Sequence, residues 1–268
     1  MSHYDAIRQN CMMIGRDRIY YCGLVGNSMH RRELGAVAVY VAPNRDLEIA
    51  QGAGPARRVD VAVVTPYTPH RLRTASGSIA CLLIEPESIT QQEIGALTAT
   101  PPGPDIADRI RRAAGSVAAM EDAGGFSTSE FDRLFFGRAF GRRELEPRIA
   151  RALDLLHDDP EEAVSAEACA AAVDLSTSRF LHLFKETTQT SFRSHRMWRR
   201  ARRFMDHANR ETSLTDVALD LGYPDSSHFS HSIRRVFGLQ PRFIRMGSRR
   251  LRVFAGSDYR LQPAMALN

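Results

Sequence analysis

The sequence is poor in lysine, in cysteine and in long apolar runs. Of its 36 basic residues only Lys185 is a lysine, so arginine carries the positive charge. Four cysteines, Cys11, Cys22, Cys81 and Cys169, are spread over 268 residues without a C-x-x-C spacing. That is too sparse for a disulfide framework, and Cys169, in an alanine-rich helical stretch, reads as a small buried apolar group. No run approaches the ~18 apolar residues of a membrane span, and the first ten residues lack the apolar core of a secretion signal. A cytoplasmic protein is the expectation. With 43% hydrophobic residues, the chain has enough apolar material for a real core, which excludes extensive disorder. Its length suits one large domain or two ordinary ones.

The net charge of +5 hides an asymmetry. Residues 1–175 hold 19 arginines against 24 acids, whereas residues 176–268 hold 16 arginines and Lys185 against 7 acids. A strongly basic C-terminal third is the footprint of a polyanion partner, against the plainer reading of a solvated basic face.

The first ~90 residues read as strands. Stretches 19–25, 35–41, 46–51, 59–65 and 78–85 are short and rich in Val, Ile, Ala and Tyr. Turn material separates them: Gly26-Asn27-Ser28, Pro43-Asn44, Gly52-Ala53-Gly54-Pro55 and Ser76-Gly77. This pattern predicts a β-sandwich or barrel over 1–100. Pro101-Pro102-Gly103-Pro104 breaks it, Asp105 has the character of a helix cap, and Ile106, Ile110, Ala113, Val117 and Met120 follow helical spacing until Gly124-Gly125. A second helix follows Ser127 or Ser129, with Phe131, Leu134 and Phe135 on one side. Residues 101–140 thus form a helical segment whose apolar stripe, extended by Phe140, suits intradomain packing first and a dimer surface second. A linker is expected at 141–147.

Beyond Pro147 the pattern is helical and internally duplicated. The segment from Val164 through Ser165 to Ala170 matches Thr212 through Ser213 to Ala218, and Ala170 and Ala218 lie 48 residues apart. An apolar turn residue follows each (Leu175, Tyr223), then a cap cluster (Ser176-Thr177-Ser178, Asp225-Ser226-Ser227) opening another helix. Those helices bury Phe180, Leu183 and Phe184, or Phe229, Ile233 and Phe237. Helix, short turn, capped helix with a thin apolar stripe is the helix-turn-helix pattern, and two in tandem on the basic part of the chain make a strong signal. Between them, Phe192, Trp198, Ala201 and Phe204 mark a helix crowded with arginine. A helix of ~16 residues spans about 24 Å, a spacer able to hold two recognition helices near the ~34 Å between successive major grooves. Its Arg199 and Arg202 are expected to neutralise phosphates.

These residues resemble a known domain. Ser176-x-x-x-Phe180-x-x-x-Phe184-Lys185, Arg196-x-x-x-x-Ala201, Val217-Ala218-x-x-x-Gly222-Tyr223-x-Asp225-x-x-His228-Phe229-Ser230 and Phe237-Gly238-x-x-Pro241-x-x-Ile244-Arg245 look like the DNA-binding domain of AraC/XylS-family bacterial transcription regulators. The resemblance covers 148–246, leaving 247–268 as a tail. The sequence departs from the pattern at Gln189, where the family has glycine, and at Gln240, where a small residue precedes the proline. The resemblance implies duplex operator DNA as partner, RNA polymerase as a further one, a homodimer, and a nucleoid-associated regulator rather than an enzyme. It also implies which side chains meet DNA: Thr177, Ser178, Arg179, His182 and Lys185 in the first recognition helix, and Ser226, Ser227, His231, Arg234 and Arg235 in the second.

The N-terminal half is similar, more thinly, to the cupin-like effector domain of such regulators, giving an α+β chain overall. His30, Tyr67, His70 and Arg71 are its candidate effector-binding residues, and Arg31, Arg32 and Arg73 are further candidates to meet an anionic effector. A cupin metal site needs at least three protein ligands; only His30, His70 and Glu33 offer themselves, so no metal or other cofactor is expected. Three readings of this half compete: an effector sensor, a dimerisation or protein-contact piece without a ligand, and, remotely, a metal-dependent cupin enzyme.

Overall fold

The computed structural model describes residues 10–22, 30–75, 77–99, 104–120, 125–159, 164–207, 212–248 and 251–259. The expected turns at Gly26-Asn27-Ser28 and Ser76, the break at 101–103, Gly124, the end of the strand expected at 19–25, and the last nine residues lie outside them. Two sheets form the N-terminal domain. The larger has six strands in the order β6 (Val61–Val64), β3 (Val37–Val41), β8 (Ala80–Ile84), β2 (Arg18–Cys22), β1 (Cys11–Ile14) and β9 (Arg252–Ala255). The smaller holds β5 (Arg57–Val59), β4 (Leu47–Gln51) and β7 (His70–Arg73).

Side chains alternate across the large sheet, as the two-residue strand period requires. Ala38, Tyr40, Ile19, Tyr21, Cys81 and Leu83 face the small sheet and pack with Leu47, Ile49 and Leu72. Val37, Val39, Val41, Tyr20, Leu82 and Ile84 face a helical layer. That layer comprises α1 (Gln91–Ala99), α2 (Pro104–Ala119) and α3 (Thr128–Phe136). It buries Ile110, Val117, Phe131 and Phe135 against the sheet, so the aromatic stripe serves this domain's own core. Both faces being covered explains why β3 and β8 read as unbroken apolar runs rather than as alternation. A buried Arg18–Asp132 ion pair, 2.7 Å from Nε to Oδ1, ties β2 to α3. Ser127 caps α3 in a reciprocal box with Glu130, and Gly137 closes it in the left-handed conformation at φ 79°.

Three features differ from the sequence reading. The strand expected at 59–65 is split at Asp60, where the chain passes from the small sheet to the large one; Asp60 meets Arg111 of α2 there. Helix α1 lies inside the stretch expected to be all β. The tail contains β9, which pairs in parallel with β1 from Cys11↔Arg252 to Ile14↔Ala255. The chain therefore returns to its N-terminal sheet after the helical domain.

The helices follow the duplicated pattern. After α4 (Pro147–Asp158), the first unit is α5 (Ala166–Ala172) and α6 (Thr177–Thr188), capped by Ser165 and Ser176. Spacer helix α7 spans Phe192–Arg203 and ends in the 3-10 turn Phe204–His207. The second unit is α8 (Leu214–Asp220) and α9 (Ser226–Phe237), capped by Ser213 and Asp225, followed by α10 (Pro241–Ser248). Gln189 takes the left-handed conformation that Gly238 takes in the second unit, φ 62° against 75°, and its Nε2 bonds the Glu186 carbonyl at 2.6 Å. The first unit has a core of its own around Phe180, Phe184 and Phe192. The second shares one with the β domain, joining Phe229, Ile233 and Phe237 through Trp198 to Tyr21 and Tyr40. Among the described residues no helix is long and apolar enough to cross a membrane.

Candidate nucleic-acid interface

Each recognition helix is 12 residues long and starts from an oxygen cap that fixes its first turn. The Ser176 hydroxyl accepts from the Arg179 backbone N–H at 3.3 Å. Asp225 accepts from the backbone of Ser227 and His228, both at 2.8 Å, and from His228 Nδ1; those hydrogen bonds hold its carboxyl below the usual range. Asp225, not Ser226, is thus the cap of the second helix. With Phe180, Leu183 and Phe184, or Phe229, Ile233 and Phe237, buried, the opposite faces point outward. Ser178, Arg179, His182 and Lys185 are exposed, as are Ser226, Ser227, His231, Arg234 and Arg235; Thr177 is half-buried. His182 lies 4.0 Å from Glu186, and Arg235 reaches Glu33 of the β domain at 3.4 Å. The structure gathers these side chains into two basic, hydroxyl- and imidazole-bearing faces.

Two expected phosphate ligands are elsewhere. Arg199 and Arg202 are only 8% and 3% exposed. Arg199 Nη2 donates to the Leu156 carbonyl at 3.0 Å. Arg202 donates to the carbonyls of Gly15 and Arg16, with its Nε 2.9 Å from Glu85 Oε1. Trp198 Nε1 donates to the other oxygen of Glu85 at 2.9 Å. His195, Trp198, Arg199 and Arg202 recur at the i, i+3, i+4, i+7 spacing of one helix face, and that face packs inward on α4 and the β domain. The spacing was visible in the sequence; the arginine count hid it.

Along this seam lies a cleft of about 760 Å³, lined among others by Arg18, Glu87, Arg143, His157 and His195. Burial pushes Glu87 up to about 8, with Glu85 adding to the effect. Burial lowers His157 to about 2 and His195 to about 3, reinforced by neighbouring arginines. Burial also raises Glu85, opposed by Arg202.

The effector candidates separate. His70 is buried and hydrogen-bonded. Tyr67 is half-buried with φ 57° and leans toward Thr190 of the helical domain. His30 is half-buried, and Arg71 points outward because β7 alternates buried and exposed residues, which corrects its place among the interior candidates. Arg32, buried at 2%, is the inward arginine. Among the described residues no group of three or more His, Cys, Asp or Glu side chains could hold a metal, so His30, His70 and Glu33 do not form such a site. All four cysteines are buried and none is in a disulfide.

Comparison with known proteins adds the family. Residues 169–246 match a helix-turn-helix domain family. The HTH-type transcriptional activator RhaS of Escherichia fergusonii is 38% identical over 111 residues, 40% of this chain and 39% of that protein. RhaS of Enterobacter sp. is 36% identical over the same length and coverage. The chain therefore spans about two fifths of the length of these curated relatives. The structure of apo ToxT from Vibrio cholerae matches 86% of this chain and 97% of its own at TM-score 0.60 and 9% identity; another ToxT structure gives 0.56 at 8%. These two show the fold: β domain and helical domain occur together in this arrangement. The chain thus carries a helix-turn-helix domain similar to those of the HTH-type transcriptional activators it matches, set on a ToxT-like two-domain fold.

Proposed function

We propose that the chain is a sequence-specific DNA-binding transcription regulator that inserts α6 and α9 into successive major grooves and is controlled by a small effector acting through the β domain. One observation carries the DNA part: two duplicated, oxygen-capped helices of equal length present outward faces bearing Arg179, His182 and Lys185, or Ser227, His231 and Arg234. Arginine suits bidentate contact with guanine or phosphate, and serine and histidine read adaptable edges. The seam supports the control part, because the spacer helix and second unit share a core with the β domain. Regulation through a homodimer and contact with RNA polymerase belong to the same reading.

Duplex selection from a random pool, followed by mobility shift on the winning site, tests this. Wild type is expected to retain its site against scrambled DNA at physiological salt, with His182→Ala and His231→Ala each reducing that discrimination. Equal affinity for every duplex, or unchanged discrimination in both variants, refutes sequence reading by these faces.

A further inference from the structure

Leu181 is the apolar side chain that the recognition surface has left unexplained. It is 39% exposed, and among the described residues it is the one large apolar side chain exposed on either recognition helix. Its neighbours Phe180, Leu183 and Phe184 fill the core of the first unit, which Leu181 does not join. At about 100° per residue, Ser178, Leu181 and Lys185 fall within about 60° of one another around α6, and all three are exposed. His182 stands beside this line and is exposed as well. Leu181 therefore lies inside the outward face, flanked by the groups expected to meet DNA.

The duplication shows what is particular to this position. The caps Ser176 and Asp225, the buried Phe180 and Phe229, and the left-handed Gln189 and Gly238 each lie 49 residues apart. In that register Ser178 answers to Ser227, His182 to His231 and Lys185 to Arg234, so hydroxyl, imidazole and positive charge are kept. Leu181 answers to Ser230, which is exposed; along the line of Ser178 and Lys185 this is the one change of chemistry. A single exposed leucine is ordinary on a protein surface. In the line of a recognition helix it has a specific counterpart, because the major groove displays one apolar group, the C5-methyl of thymine. We propose that Leu181 is a specificity-determining residue that packs on a thymine methyl, so that the segment read by α6 requires a thymine that the segment read by α9 does not. The proposal rests on sequence reading by these two helices and names a base in the target of the first.

The test replaces thymines by deoxyuridine, one at a time, in a duplex selected by the full chain, and measures affinity by mobility shift. Uracil pairs with adenine and keeps the O4 acceptor but lacks the methyl, so the apolar contact alone is removed. Wild type is expected to bind about fourfold more weakly when one particular thymine is replaced, the fold-change for exposing one buried methyl group. That thymine lies in the segment whose base preference His182→Ala alters. Leu181→Ala trims an exposed side chain to a strong helix former, so it should melt within about 2 °C of wild type. It should bind thymine and uracil alike at that position, the coupling expected of a direct contact. Leu181→Met, apolar and of similar volume, should keep most of the discrimination. Wild-type affinity unchanged by every replacement overturns the proposal, as does a Leu181→Ala protein that discriminates as wild type does. Failure of wild type to select any duplex refutes sequence reading itself, whereas selection that survives while thymine and uracil bind alike refutes the role of Leu181 alone.

Discussion

Gly35→Ala probes the seam between the domains. Gly35 precedes β3, and a β-carbon there would stand 2.4 Å from Trp198 Cγ, 2.7 Å from Cβ and 2.8 Å from Cδ1. Contacts this short are not tolerated, and the indole is hard to move. It is 1% exposed, ring-packed on Phe237 with centroids 6.3 Å apart, and hydrogen-bonded to Glu85. The substitution is therefore an overpacking in a shared core, costing about 2–3 kcal/mol. At roughly 2–4 °C per kcal/mol, melting should fall by about 5–8 °C. Trp198→Ala costs about 3–5 kcal/mol by itself, and in its background Gly35→Ala should cost about 1 kcal/mol, because only the Cβ clash remains. That non-additivity marks direct coupling. The assay is denaturant unfolding of the four proteins in the cycle. Strict additivity, or a Gly35→Ala protein as stable as wild type, refutes the described packing of Trp198 against Gly35.

Further outcomes follow from the same geometry. Arg199→Ala and Arg202→Ala should lower melting temperature while leaving the salt slope of DNA binding unchanged, whereas Arg179→Ala should reduce that slope by about 1; a reduced slope in the first two would restore them as phosphate ligands. Glu87 binds its proton more tightly folded, at about 8, than unfolded, so its contribution erodes as pH rises from the unfolded carboxylate range through 8. Between pH 6.5 and 8, above the unfolded range of the lowered histidines, this loss amounts to about 1–2 kcal/mol, and Glu87→Gln should flatten it in melting scans; an unchanged pH profile contradicts the assignment. His157 and His195, lowered to about 2 and 3, contribute stability that is present above pH 6.5 and lost below it, so melting should also fall on acidification. Phe254→Ala, which empties a buried position on β9, should cost about 3 kcal/mol or more in denaturant unfolding; a negligible loss would detach the tail from the sheet.

The helical half was legible because its determinants are local. Caps at Ser165, Ser176 and Ser213 and the apolar spacing of Phe180, Phe184, Phe229 and Phe237 are set within a few residues, and the duplication repeats them. The N-terminal half depends on distant pairing. β9 is four residues whose role appears only beside β1, and nothing local distinguishes Arg252–Ala255 from a tail. The splitting at Asp60 likewise follows from which sheet each flank joins. At the site, the outward residues of α6 and α9 could be read from periodicity, whereas Arg199 and Arg202 could not be placed by charge. Long arginine side chains can satisfy buried carbonyls and Glu85 as well as phosphates, and only the partner surface decides. Arg32 stood out in the sequence no more than Arg31 or Arg71; its inward direction comes from the bridge to His70.

Footprinting of the full chain on a selected duplex tests the central claim most directly. Two recognition helices held by one spacer predict two major-groove segments protected on one face of the DNA, about 10 bp apart from centre to centre. Substitution of His182 should change base preference in one segment, and substitution of His231 in the other. A single protected segment, or two whose preferences ignore both histidines, would contradict the account.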